Sequence, residues 1–196
     1  MNTEVIKSEL DRAISQLDGL GPSVSIFGSA RISQSDPLAQ QAFQLGRLLS
    51  DLGFNVLTGA GPGIMQAANQ GAFERKSKSI GLNIKLPKEQ APNPYLDECI
   101  LFEHFFTRKV ALIKQADACV FFPGGFGTAD ELLEVLTLIQ TRKNKPIKLF
   151  LFGTDFWSPI ISWFESLAQL GYIDKTDLEL LHLVDDFSQI INDIKR

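Results

Sequence analysis

Residues 54–75 read FNVLTGAGPGIMQAANQGAFER. Four residues rich in apolar side chains (54–57) run into a six-residue loop, Thr58-Gly59-Ala60-Gly61-Pro62-Gly63, and an alanine-rich stretch follows from Ile64. A short apolar run bounded by turn formers predicts a buried strand, and the Ala, Met and Gln that follow predict a helix over about 64–75. A strand that feeds a helix through a tight glycine loop must be followed by a parallel strand if the helix is to bury its apolar stripe on the sheet.

The same unit recurs on both sides. Upstream, residues 24–27 (VSIF) form a strand that enters Gly28-Ser29-Ala30-Arg31, and Asp36-Pro37 supplies an N-cap and first position for a helix closing at Gly53. Downstream, strands are predicted at 80–84, 118–122 and 147–152. The strand at 118–122 leads into Pro123-Gly124-Gly125-Phe126-Gly127 and a helix over about 129–142. The strand at 147–152 precedes a helix through Trp157, Trp163 and Leu167. Residues 180–196 read as a final strand and helix, and Ile6, Leu10, Ile14 and Leu17 draw one apolar stripe on an N-terminal helix ending at Gly19. Between Lys85 and Glu98, three prolines and no periodicity indicate an ordered irregular loop of the kind that borders sites. Alternating strands and helices with near-continuous apolar strands imply a doubly wound α/β fold with a parallel sheet, built as one domain over 1–196. In such sheets ligands bind beyond the carboxyl ends of the strands, where all three glycine-rich loops fall.

Composition narrows the function. With 44% hydrophobic residues the chain is too apolar for global disorder, and 19 basic against 23 acidic residues leave a net charge of −4. No whole-chain positive field is present for nucleic acid or an anionic membrane. Two cysteines outside any CxxC and two histidines give no metal-ligand cluster and no disulfide framework. The absence of a leader-like or spanning apolar run points to the cytoplasm.

The loops fit neither common nucleotide fingerprint. GxGxxG needs glycine where Ile64 stands, and no acidic residue follows about twenty positions on, near Asn83. No Gly-Lys-Ser/Thr follows either loop, so the phosphate-binding lysine of a P-loop is missing. Glycine loops that open helices nonetheless present amide N–H groups to an anion. Thr128 with Glu131 three residues on matches a capping box, and a carboxylate there would have its pKa lowered by the helix dipole. Glu131 is therefore either a cap or a catalytic carboxylate. Arg108, on an otherwise apolar helix, is either a structural ion-pair partner or a site residue. Cys119 reads as core and His104 as a packed histidine, and without a GxSxG elbow Ser29 is no hydrolase nucleophile.

PGGFGTADE (123–131) resembles the PGGxGTxxE signature of the LOG (lonely guy) family, the cytokinin riboside 5'-monophosphate phosphoribohydrolases, and TGAGPGIMQAANQGA resembles its second glycine-rich stretch. SIFGSAR, GLNIKLP and FFTRK follow in the family's order, so the resemblance covers about 24–163. It implies a Rossmann-like fold, a homodimer, no cofactor, and hydrolysis of a purine nucleoside 5'-monophosphate, AMP-like or N6-modified, to free base and ribose 5-phosphate. Its motif places catalysis on Glu131 and Arg108. Gly124, Gly125, Gly127 and Thr128 would cradle the phosphate, with Gly28, Ser29, Gly59, Gly61, Arg108 and Lys109 lining the cleft. Phe105 and Ala60 depart from the family's usual Met and Gly, which bears on the shape of the base pocket. The alternative from another class is a nucleotide-binding or carrier module without turnover. An older lysine decarboxylase label attached to some relatives would need a Schiff-base lysine, and no lysine in the chain is singled out for that role.

Overall fold

The computed structural model describes residues 3–85 and 91–195. Strands β1 (Ser23–Phe27), β2 (Asn55–Thr58), β3 (Ser79–Ile84), β4 (Glu98–Phe102), β5 (Ala118–Phe121), β6 (Lys148–Phe152) and β7 (Leu181–Val184) pair in the order β4-β3-β2-β1-β5-β6-β7. Every ladder is parallel. Helices α1 (Thr3–Leu17), α2 (Pro37–Asp51), α3 (Ile64–Ala72), α4 (Phe105–Lys114), α5 (Phe126–Gln140), α6 (Thr154–Gln169) and α7 (Phe187–Ile194) cover both faces, and a 3₁₀ helix at Lys175–Leu180 precedes β7.

The period of two along each strand separates two cores. Phe27, Cys119 and Phe121 face the layer holding Leu112, Leu132, Val135 and Trp157, from α4, α5 and α6. Val24, Ile26, Ala118 and Val120 face the layer holding Leu45, Leu49, Ala68 and Ile190, from α2, α3 and α7. This is the doubly wound, Rossmann-like arrangement the sequence predicts. Its topological switch point lies between β1 and β5, which pair from Val24↔Ala118 to Phe27↔Phe121.

Three elements differ from the sequence reading. Residues 98–102 form an edge strand, paired with β3 from Ile80↔Glu98 to Ile84↔Phe102, in a stretch to which the sequence pattern assigns no element beyond Glu98. Only Ile100 and Phe102 are buried there, so the strand is specified by its partner's backbone more than by its own pattern. The irregular loop expected over 85–98 falls partly outside the described residues. α1 runs where its stripe predicts but is rotated: Ile14 is 52% exposed, while Glu9, Ala13 and Leu17 point inward. Finally, α5 begins at Phe126, three residues before the expected start, with consequences for Glu131 described below. No helix among the described residues is long and apolar enough to cross a membrane.

Candidate active site

The loops after β1, β2 and β5 meet at the carboxyl edge of the sheet. Ser29 N–H donates to the Pro123 carbonyl at 3.0 Å, and Ile64 N–H donates to the Ser29 carbonyl at 2.9 Å. Ser29 thus joins the first loop to the other two. The contacts leave no room for side chains at two glycines. A Cβ on Gly124 would stand 2.1 Å from Thr128 Oγ1 and 3.0 Å from Ser29 N. Gly63, at φ +66°, would place one 2.2 Å from the Ser29 carbonyl oxygen.

Glycine is also the residue that ends these loops and starts the helices. α5 has Gly125 and α3 has Gly63 at the N-cap, and neither receives a side-chain cap. With no side-chain acceptor, the positive end of each helix dipole faces the cleft, and the first-turn amides other than those of Ile64 and Thr128, which bond the Ser29 and Gly125 carbonyls, are left to an anion. Gly125 and Gly127 have nothing within 4 Å of an added Cβ, in contrast to Gly124. Gly124→Ala is therefore expected to destabilise the fold by about 1–3 kcal/mol in denaturant unfolding, whereas Gly125→Ala and Gly127→Ala change it by less than about 1 kcal/mol. Any loss of nucleotide affinity in the latter two then reports a contact with the ligand and no damage to the loop.

Because α5 starts at Phe126, Thr128 lies within its first turn and Glu131 in its second. The capping box expected from the sequence is absent, since a residue six positions into a helix cannot reach back to its cap. Glu131 turns inward instead and is 5% exposed. Its Oε1 lies 3.7 Å from Arg108 Nη2, a charge contact longer than a hydrogen bond, and its Oε2 is buried with no partner, as is Arg108 Nε. Burial pushes the Glu131 carboxyl up to about 7, against the opposing pull of Arg108 and Lys109. This reverses the expected lowering. The dipole effect fades beyond the first turn, and desolvation of an incompletely hydrogen-bonded carboxylate outweighs one long ion pair. A carboxyl near half protonation at neutral pH can give or take a proton.

Arg108 is lodged between loop and ring. Its guanidinium carbon stands 5.2 Å from the Phe105 ring centroid, and Nη1 would lie 3.3 Å from a Cβ on Gly59. Burial lowers its pKa from the usual arginine value, partly offset by Glu131 and Asp130. The structure thereby brings Gly59, Arg108 and Glu131 to one point, and Gly28, Ser29, Gly124 and Thr128 to another along the same edge. Gly61 packs on Met65. Lys109 points elsewhere: its Nζ is 2.6 Å from both Asp130 and Glu134 on α5, and although burial opposes it, these carboxylates raise its pKa. Cys119 is fully buried, with burial and the nearby Glu131 pushing its thiol up.

One buried network escapes sequence reasoning. Asn69 accepts from Thr58 Oγ1 at 2.5 Å and from Asn93 Nδ2 at 3.0 Å, and donates to Ser79 Oγ at 2.9 Å. Asn93 also donates to the Gly61 carbonyl at 3.2 Å, tying the proline-rich segment to the loop after β2. The isolated asparagines carry no local signal of this. Among the described residues no cluster of three or more His, Cys, Asp or Glu could hold a metal ion.

Comparison with known proteins places this geometry in context. Residues 65–194 match the family model described as "possible lysine decarboxylase". The chain is 26% identical over 179 residues to a "probable cytokinin riboside 5'-monophosphate phosphoribohydrolase" of Oryza sativa subsp. japonica, covering 88% of this chain and 77% of that protein. It is 30% identical over 152 residues to the "pyrimidine/purine nucleotide 5'-monophosphate nucleosidase" of Escherichia coli (strain K12), covering 73% of this chain but only 33% of the nucleosidase. Among solved structures, the molybdenum cofactor carrier protein of Chlamydomonas reinhardtii superposes with a TM-score of 0.66 at 23% identity, over 89% of this chain and 96% of that one.

Proposed function

The chain belongs to the LOG-type family described as possible lysine decarboxylases, and on that footing we propose that it hydrolyses the N-glycosidic bond of a purine nucleoside 5'-monophosphate. The substrate class is AMP-like or N6-modified, and the products are free base and ribose 5-phosphate. The observation that carries the reading is Glu131: a buried carboxyl beside Arg108 whose second oxygen has no partner. A buried polar atom left unpaired costs about 1–3 kcal/mol, and a ligand hydroxyl or water placed there would relieve it.

In this reading the 5'-phosphate sits on the open amides of α5, cradled by Gly124, Gly125, Gly127 and Thr128, with Gly28, Ser29, Gly59 and Gly61 along the cleft. The ribose then faces Glu131. As the bond from C1' to the base nitrogen breaks, positive charge develops on the ribose, and the ionised carboxylate stabilises it while taking a proton from the water that adds to C1'. The departing base is protonated in turn. Arg108 holds Glu131 in place and keeps part of its population ionised. Lys109 contributes through Asp130 and Glu134, which fix α4 against α5. A decarboxylase reading would require a lysine amine with a lowered pKa; Lys109 is shifted the other way by its two carboxylates.

The homodimer the resemblance implies has a candidate seat. Phe105, Phe106 and Val110 on α4 and Leu133 on α5 are exposed, and Phe126 at the start of α5 is 97% exposed. Light scattering is expected to give about twice the 21.7 kDa of one chain, and a monomer at that mass would remove the assignment.

The test of the function is incubation of the purified protein with AMP and with N6-isopentenyl-AMP, separating nucleotide from base by chromatography. Equimolar base and ribose 5-phosphate are expected. Saturable AMP binding in calorimetry without release would favour the carrier module instead.

A further inference from the structure

Glu9 is a carboxylate buried on an N-terminal helix far from the glycine loops in sequence. Its side chain is 4% exposed. Its oxygens accept from the Glu103 amide, from Thr107 Oγ1 at 2.8 Å, and meet His104 Nδ1 at 3.0 Å. These residues are the entry and first turn of α4, whose own N-cap, His104, makes no side-chain capping bond. Glu9 therefore ties the segment that enters α4, and the Thr107 side chain in its first turn, to α1, and its negative charge lies at the positive end of that helix. Burial would raise the Glu9 pKa, but the bonds from Glu103, Thr107 and His104 outweigh it and hold the carboxyl below the usual range.

The residue after Thr107 is Arg108, and the residue after that is Lys109, bound to Asp130 and Glu134 on α5. α4 is thus fastened on both sides of Arg108, to α1 and to α5. The Arg108 guanidinium reaches Glu131 only at 3.7 Å and makes no hydrogen bond through Nε. Its place is set by where the helix stands.

We propose that Glu9 is a positioning residue for the Arg108–Glu131 pair, acting by clamping the first turn of α4 to α1. The kinetic consequence rests on the function proposed above; the electrostatic consequence does not. The charged and titratable groups facing Glu131 are Arg108 and Lys109 from α4, Asp130 and Glu134 from α5, and the Cys119 thiol of β5. If the clamp is released and Arg108 recedes, Glu131 loses its main cationic neighbour and titrates higher. Removing the Glu9 charge acts directly in the opposite direction, because a lost negative charge lowers a carboxyl pKa. The sign of the shift separates positioning from field.

The experiment is ¹³C NMR titration of the Glu131 carboxyl in the full chain, in parent, Glu9→Ala and Glu9→Gln, with folding checked by circular dichroism. Glu9→Ala is expected to raise the Glu131 midpoint by about half a pH unit or more, and Glu9→Gln, which keeps an acceptor for the Glu103 amide, to restore at least part of it. In the hydrolysis assay Glu9→Ala is expected to lower kcat roughly tenfold with KM within about threefold. Should Glu9→Ala fail to fold, Thr107→Val, which removes one donor and keeps the buried shape, is read the same way and is expected to shift the midpoint upward. A midpoint that stays put or falls in a folded variant overturns the proposal. A parent protein without hydrolysis would overturn the proposed function while leaving the titration to judge the clamp.

Discussion

Glu131→Gln is expected to reduce release of base and ribose 5-phosphate by about a thousandfold while AMP affinity stays within about tenfold. The amide keeps the shape and part of the hydrogen bonding of the carboxyl but carries no charge and takes no proton from water. The same variant should gain stability at alkaline pH. Glu131 titrates at about 7 when folded against 4.5 as a free side chain, so its stabilising contribution is complete below 4.5 and is lost as pH rises through 7. Gln is neutral throughout and escapes that loss. Denaturant unfolding should therefore show the variant and parent equal near pH 4 and the variant more stable by about 3 kcal/mol near pH 8. Undiminished hydrolysis would remove Glu131 from the chemistry, and equal stability at pH 8 would mean that its carboxylate is already well solvated.

Arg108→Ala should lower kcat by about a hundredfold and move the acidic limb of the pH profile upward. Arg108 is the strongest of the groups that favour the ionised form of Glu131. Without it the carboxyl holds its proton to higher pH, by about one unit or more, so activity should be partly recovered in alkaline buffer. Arg108→Lys keeps a charge but not the planar fork, and the Phe105 ring contact favours the guanidinium, so an intermediate limb is expected. An unmoved limb in Arg108→Ala would show that the two groups do not communicate.

Both predictions turn on a carboxyl whose position in the chain was legible and whose state was not. The signature 123–131 marks Glu131, and the same spacing matches a capping box. Which holds depends on where α5 begins: Gly125 is its N-cap and the helix starts at Phe126. Three further residues of helix place Glu131 in the second turn, where its side chain is buried. Its partner is just as dependent on packing. Arg108 stands out as an arginine among the apolar residues of α4, but only the docking of α4 on α5 brings it to 3.7 Å from Glu131.

By itself the sequence determines the doubly wound sheet, because each strand–glycine–helix unit is a local pattern of period and turn chemistry that permits only a parallel neighbour. It determines that three glycine loops gather at one sheet edge, since every such loop follows the carboxyl end of a strand. Tertiary structure alone decides the edge strand β4, recruited by the open backbone of β3. It decides the rotation of α1, where Ile14 is left outside and Glu9 turns inward because the entry and first turn of α4 together offer three hydrogen-bonding partners to a carboxylate. It also decides the protonation of Glu131. Burial and the placement of charges are properties of surfaces brought together from distant parts of the chain, and no local pattern encodes them.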